Sequence, residues 1–230
     1  RWTSPLIKKS EWKEKKFIDV GCGIGRNSFW PLIYGASEAL CIDVDNRTLE
    51  CAKTNLKKFK SVNIVNRSAY QINESDRFDI AFSIGVVHHL EDPKLALSNM
   101  VKSVRIGGSV LIWVYGYENN EWIVKYFNPL RNMLFSRLPI SVVHFLSIFP
   151  TLFLYIYIRL TKGKTEYINL IRKFSFSHLR SIVFDQMLPK IANYYKEEEV
   201  KFLMESVGLV DIKTNWVNEM SWAIIGKKVN

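Results

Sequence analysis

FIDVGCGIGR, residues 17–26, is the stretch on which the rest of the chain depends. Phe17, Ile18 and Val20 are residues that fill a strand buried on both faces. Gly21, Gly23 and Gly25 then strip the side chains from a turn, which lets a ligand lie against bare backbone. Residues 26–34 follow with helical character, so the turn sits at the mouth of a strand-turn-helix unit, where free N–H groups gather. The glycines run G-x-G-x-G, with Arg26 where the last glycine of a dinucleotide fingerprint would stand. Asp19 lies two residues before the first glycine; a carboxylate there repels a pyrophosphate but suits an ammonium or sulfonium group.

The spacing therefore favours a cationic nucleoside such as S-adenosylmethionine over NAD. At these residues the chain resembles the class I S-adenosylmethionine-dependent methyltransferases, whose first motif has this acid, this spacing and this position after the first strand. A second run, FDIAFSIGVVHHLEDP at residues 78–93, closely resembles the subgroup that includes the ubiquinone and menaquinone C-methyltransferases. The resemblance implies an α/β fold, a doubly wound, mostly parallel seven-stranded sheet of Rossmann-like type. It also implies that Ser68, just after the third strand, meets the adenine amino group.

The remaining cofactor contacts follow from position. Asp19 and the backbone from Gly21 to Gly25 would fix the methionine moiety. Asp43 closes the second strand 20 residues beyond Gly23, the interval at which an acid accepts both ribose hydroxyls. Ile84, Gly85 and His88, at the carboxyl end of the fourth strand, would border the transferred methyl group. His88 is the candidate general base, needed for an alcohol acceptor but not for a thioether, amine or stabilised carbanion. His89 reads as a loop residue bonded to backbone, and no zinc-site spacing surrounds the pair, so no metal is expected. Tyr115, Tyr117, Glu118, Asn119 and Asn120 follow the fifth strand and are candidates for substrate contact or for loop packing.

At 230 residues, 48% hydrophobic and 23% charged, the chain reads as one globular domain with an insertion. The core is residues 1–115 and 196–230, and residues 116–195 form an aromatic-rich helical cap inserted after the fifth strand. Cys22, Cys41 and Cys51 show no C-x-x-C spacing and read as reduced packing residues of a cytoplasmic protein. The net charge of +10 is spread over predicted helix faces and both termini, as on a solvated surface. With no nucleic-acid module and no N-P-P-Y motif after the fourth strand, no nucleic-acid partner is expected.

In chain order, residues 1–16 are lysine-rich with Trp2 and Trp12, either a helix over the cofactor mouth or a lead-in. Strands are expected at 38–45, 62–65, 78–84 and 109–115, and helices at 47–60 and 93–105, the last capped by Asp92 and ended by Gly107 and Gly108. A helix at 197–207 and a hairpin of 209–217 and 221–227 close the chain. Residues 142–158 are nearly uncharged and interrupted by Pro150; they read as a buried cap or homodimer helix, an interfacial helix in peripheral contact with a membrane, or a span. Three functions follow: methyl transfer to a small soluble molecule, methyl transfer to a lipid, quinone or glycolipid at a membrane surface, and a non-catalytic nucleotide-binding module or NAD oxidoreductase.

Overall fold

The computed structural model describes residues 6–161 and 165–229. Trp2 lies outside the described residues. The chain divides into two compact units. The first holds the described residues up to Tyr115 together with Tyr195–Asn215 and those from Trp222 onward; the second holds Gly116–Tyr194 and Trp216–Ser221.

In the first unit, the apolar runs become strands β1 (Lys16–Val20), β2 (Glu38–Asp43), β3 (Val62–Asn66), β4 (Phe78–Ile84) and β5 (Val104–Tyr115). The closing hairpin supplies β6 (Leu209–Val217) and β7 (Ser221–Lys228). The sheet order is β3-β2-β1-β4-β5-β7-β6, with β1 parallel to both β2 and β4. The chain turns outward in opposite directions on the two sides of β1, so the ends of β1 and β4 flank the switch point where such sheets bind ligands. Helices α1 (Arg26–Ile33), α2 (Asn46–Leu56) and α3 (Pro93–Ser103) provide the crossovers. As expected from sequence, Asp92 caps α3 by accepting the Leu95 N–H at 2.9 Å, with Pro93 in the first position.

The local departures have physical causes. Before β1 the described chain forms only a 3-10 turn, Lys9–Trp12, in place of a helix. Trp12 is buried edge-on against Phe17 and Phe82, at 5.7 and 5.8 Å between ring centres, so it belongs to the sheet core. Helix α3 stops at Ser103, before the glycines. Val104 already pairs with Phe78, yet the next pair is Ile80 with Ser109, so Gly107 and Gly108 sit in a bulge of β5. Gly107 has φ +79°, and a side chain at Gly108 would meet the Asp79 carbonyl oxygen at 2.7 Å. The glycines thus serve the bulge, where the sequence reading makes them a helix stop.

The second unit contains a π-helical turn Ile123–Phe127 and helices α4 (Asn128–Met133), α5 (Ile140–Leu146), α6 (Ile148–Leu160), α7 (Glu166–Ile171) and α8 (Phe176–Met187). Pro150 falls in the first turn of α6 and lacks the N–H that would bond the Leu146 carbonyl; the chain breaks at Ser147 and restarts. Helix α9 (Glu197–Glu205) belongs to the first unit.

Candidate active site

The glycine turn departs from the expectation of free N–H groups. The Gly21 and Cys22 N–H groups both donate to the Ile42 carbonyl, at 2.8 and 3.0 Å, and Gly25 N–H donates to the Cys22 carbonyl at 2.9 Å. Gly23 N–H donates to Asp43 Oδ2 at 2.8 Å. A pyrophosphate would need these donors, whereas a cation does not. The three glycines are also unequal. A Cβ on Gly21 would lie 2.2 Å from Val86 Cγ2, and one on Gly25 would lie 2.8 Å from Leu56 Cδ1. At Gly23 it would meet nothing within 4 Å. Gly21 and Gly25 are therefore packing glycines, and Gly23 alone opens onto free space.

Two carboxylates serve this turn. Asp43, half-buried at the end of β2, accepts the Gly23 N–H through one oxygen and the Asp45 N–H through the other, at 3.0 Å. It is not the cap of α2; Asp45 is, accepting the Arg47 N–H at 2.9 Å. Asp19 is fully buried at the end of β1, and Ser28 of α1 donates to its Oδ2 at 2.5 Å. Its Oδ1 is buried without a hydrogen-bond partner. Burial pushes the Asp19 carboxyl up to about 7, with Asp43 adding a smaller push in the same direction and Ser28 opposing both. Cys22 is buried beside Cys41, with its Sγ donating to the Gly23 carbonyl at 3.7 Å, and these surroundings push its thiol far above the ordinary range.

The end of β4 approaches the same turn. Ser83 Oγ donates to the Val20 carbonyl at 2.8 Å, and Val86 packs into the space Gly21 leaves. Ile84 is half-buried opposite Trp113, and Gly85 has φ +82°. His88 sits in the 3-10 turn Val87–His89, fully buried, with its ring centre 3.9 Å from that of Tyr115 and 4.2 Å from that of His89. Neither ring nitrogen of His88 has a hydrogen-bond partner. Burial, with His89 beside it, depresses its pKa well below the usual histidine value, so the imidazole is neutral at pH 7.

Residues 18–112 match the family model described as a methyltransferase domain. Among curated proteins, the chain is 26% identical over 141 residues to the mitochondrial ubiquinone biosynthesis O-methyltransferase of Dictyostelium discoideum, covering 55% of this chain and 43% of that protein. It is 27% identical over 142 residues to the tRNA U34 carboxymethyltransferase of Vibrio cholerae, covering 59% and 44%. The chain thus spans less than half the length of these relatives. An S-adenosylmethionine-dependent methyltransferase from Mesorhizobium loti has the same fold, with a TM-score of 0.62 at 13% identity over 99% of this chain and 98% of that one. Residues 18–112 thus carry the match to a methyltransferase domain, on a fold shared with S-adenosylmethionine-dependent methyltransferases.

The site fits the methyltransferase cofactor in three respects: open space before Gly23, a half-buried acid at the end of β2, and a buried acid with one unpartnered oxygen. Other expected residues are placed differently. Ser68 caps the 3-10 turn Ala69–Gln71, its hydroxyl accepting the Tyr70 N–H at 3.2 Å through one of its two lone pairs. Asn119 and Asn120, expected beside substrate, work inside the second unit. Asn119 Nδ2 donates to the Glu219 carbonyl at 2.9 Å, and Asn120, almost wholly buried, donates to the carbonyls of Gly116 and Met220 at 2.8 and 2.9 Å. Tyr117 belongs to the same loop, its carbonyl accepting the Asn120 N–H, whereas Tyr115 is a first-unit residue stacked on His88. Sequence reasoning missed Ser28 and Val86. Ser28 leaves a faint signal as a polar residue on the inner face of a short helix; Val86 leaves none.

Proposed function

We propose that this methyltransferase moves a methyl group to a small-molecule acceptor in the cytoplasm. The observation that carries the cofactor half is the pair of acids around Gly23, the glycine of the β1 turn that faces open space. Asp43 is held by two backbone N–H groups in an orientation suited to a ribose diol, and Asp19 places a buried carboxyl beneath the turn, whose ionised form a nearby sulfonium would favour. When bound, the cofactor supplies an electrophilic methyl on a sulfonium, itself an excellent leaving group. The protein's own task is to bind, align and exclude water, and alignment of this kind is worth at best about 7–11 kcal/mol.

The state of His88 bears on the acceptor. A buried, neutral imidazole with depressed pKa is a weak base, so it suits an acceptor that attacks unaided, or one whose proton leaves after transfer, better than a free alcohol. The free thiols Cys22, Cys41 and Cys51 fit a reducing compartment. A lipid or quinone acceptor is the first alternative, supported by the named ubiquinone relative and the apolar second unit. A tRNA acceptor is the second, supported by the tRNA-modifying relative and the net charge of +10.

Calorimetry with S-adenosylhomocysteine and NAD, followed by transfer of labelled methyl from the donor to metabolite, quinone and tRNA pools, tests the reading. Preference for NAD, or homocysteine-product binding without turnover in any pool, would overturn the enzyme. Labelling confined to tRNA would overturn the acceptor.

A further inference from the structure

The second unit carries an apolar face that stays exposed among the described residues. Residues 140–160 are helical on either side of Ser147, and an 18-residue stretch within them has a mean hydropathy of 1.8 with only 17% of it buried. The burial is one-sided. Val143, Ser147, Thr151 and Ile158 are buried on one stripe. Phe145, Phe149, Leu152, Phe153, Ile156 and Leu160 are exposed on another, with Phe153 74% and Leu160 81% accessible. At 100° per residue these two sets point in opposite directions, so the exposed set is a continuous apolar strip rather than scattered surface residues.

We propose that this strip docks the protein onto a negatively charged phospholipid surface, with α5 and α6 lying in the plane of the interface. The occupant follows from charge. Residues 122–165 contain no carboxylate and six cations, Lys125, Arg131, Arg137, Arg159, Lys162 and Lys164. Lys125, Arg137 and Arg159 are exposed. A second copy meeting this face would bring the same cations and no acids, whereas an anionic bilayer complements both the apolar strip and its basic flanks. Aromatic residues with polar tips, Tyr126 and Tyr157 among them, are also exposed on the segment, as at a membrane boundary.

Crossing the bilayer is disfavoured by the helix's own partner. Arg180 of α8 donates to Ser147 Oγ at 3.2 Å and to the His144 carbonyl at 2.7 Å, at the break between α5 and α6. A span would carry this guanidinium, and α8 with it, into hydrocarbon. With the strip facing lipid and α8 behind it, the arginine stays on the aqueous side.

The test is co-sedimentation of the full chain with vesicles of phosphatidylcholine alone and with about a third phosphatidylglycerol, at low and high salt. The expected result is pelleting with the anionic vesicles only, reduced by salt. Phe149→Asp with Phe153→Asp should lower vesicle affinity by more than about tenfold, and Arg137→Gln with Arg159→Gln by about thirtyfold. Both variants should bind S-adenosylhomocysteine as the parent does, which shows that they fold. Equal pelleting with neutral and anionic vesicles, no pelleting with either, or release by detergent only would overturn the proposal. So would a concentration-dependent dimer that the phenylalanine variant dissolves, since the occupant would then be a second copy.

Discussion

Asp43 and Asp19 divide the work at the glycine turn by their surroundings. Asp43 is half-exposed and held in one orientation by two N–H donors. Replacing it with alanine removes the acceptor while leaving the buried core alone. S-adenosylhomocysteine affinity measured by calorimetry should fall by roughly 10- to 100-fold, the worth of hydrogen bonds to a charged group, with little change in melting temperature. An unchanged affinity would show that the acid closing β2 does not hold the ligand. Asp19 makes a different prediction because its carboxyl is raised from 3.8 to about 7 by burial. Between those pH values the folded chain keeps a proton that the unfolded chain has released, so this group's contribution to stability falls as pH rises from about 4 to 7, by up to about 4 kcal/mol. Glu38 and Glu74 act in the opposite sense: despite partial burial, Arg77 with Lys16 and Arg67 hold them below the ordinary range. Those groups are common to the parent and to Asp19→Asn, so the difference between the two proteins isolates Asp19. Urea unfolding at pH 5 and pH 8 should show the parent losing stability relative to Asp19→Asn as pH rises; a parallel pair of curves would mean the carboxyl titrates normally.

At the level of elements, the glycines separate packing from binding. Gly21→Ala drives a methyl into Val86 and, at φ +78°, strains the backbone as well; unfolding stability should drop by about 2–4 kcal/mol. Gly23→Ala meets no atom in the chain, so it should cost only about 1 kcal/mol from its φ of +52° while placing a methyl where the cofactor would lie. The expected pattern is a destabilised Gly21 variant and a folded Gly23 variant that no longer binds S-adenosylhomocysteine; thermal melts with and without ligand would show it. Strand β1, the turn and the bounds of β4 are legible in the sequence because apolar runs and glycines encode local backbone. What the glycines pack against is not, since Val86 comes from 65 positions away in chain and carries no mark. The same limit explains Gly107 and Gly108, which look like a helix stop from either side and form a bulge because β4 sets the register. It explains Asn120 too: its partner Met220 lies 100 residues on, so the sequence shows a polar loop residue where the structure has a buried staple.

For the molecule as a whole, the two units give separate answers to ligand and surface. Every residue assigned to the cofactor lies in the first unit: Asp19 and the glycine turn after β1, Asp43 at the end of β2, and Ile84 to His88 after β4. The exposed apolar strip lies wholly in the second, on α5 and α6. Ligand that binds only the folded form stabilises it by about 2.7 kcal/mol at a hundredfold excess over Kd. Amide protection gained on binding is concentrated where backbone groups are fixed by the ligand. Hydrogen exchange with S-adenosylhomocysteine should therefore slow at residues 20–26, 43–46 and 84–89, while residues 140–160 exchange at an unchanged rate. Addition of anionic vesicles should produce the reverse, slowing 140–160 and leaving the glycine turn unaltered. Because each ligand marks a different stretch, the two assignments fail independently: protection absent from 20–26 would remove the cofactor site whatever the vesicles do, and protection absent from 140–160 would remove the docking face whatever the cofactor does.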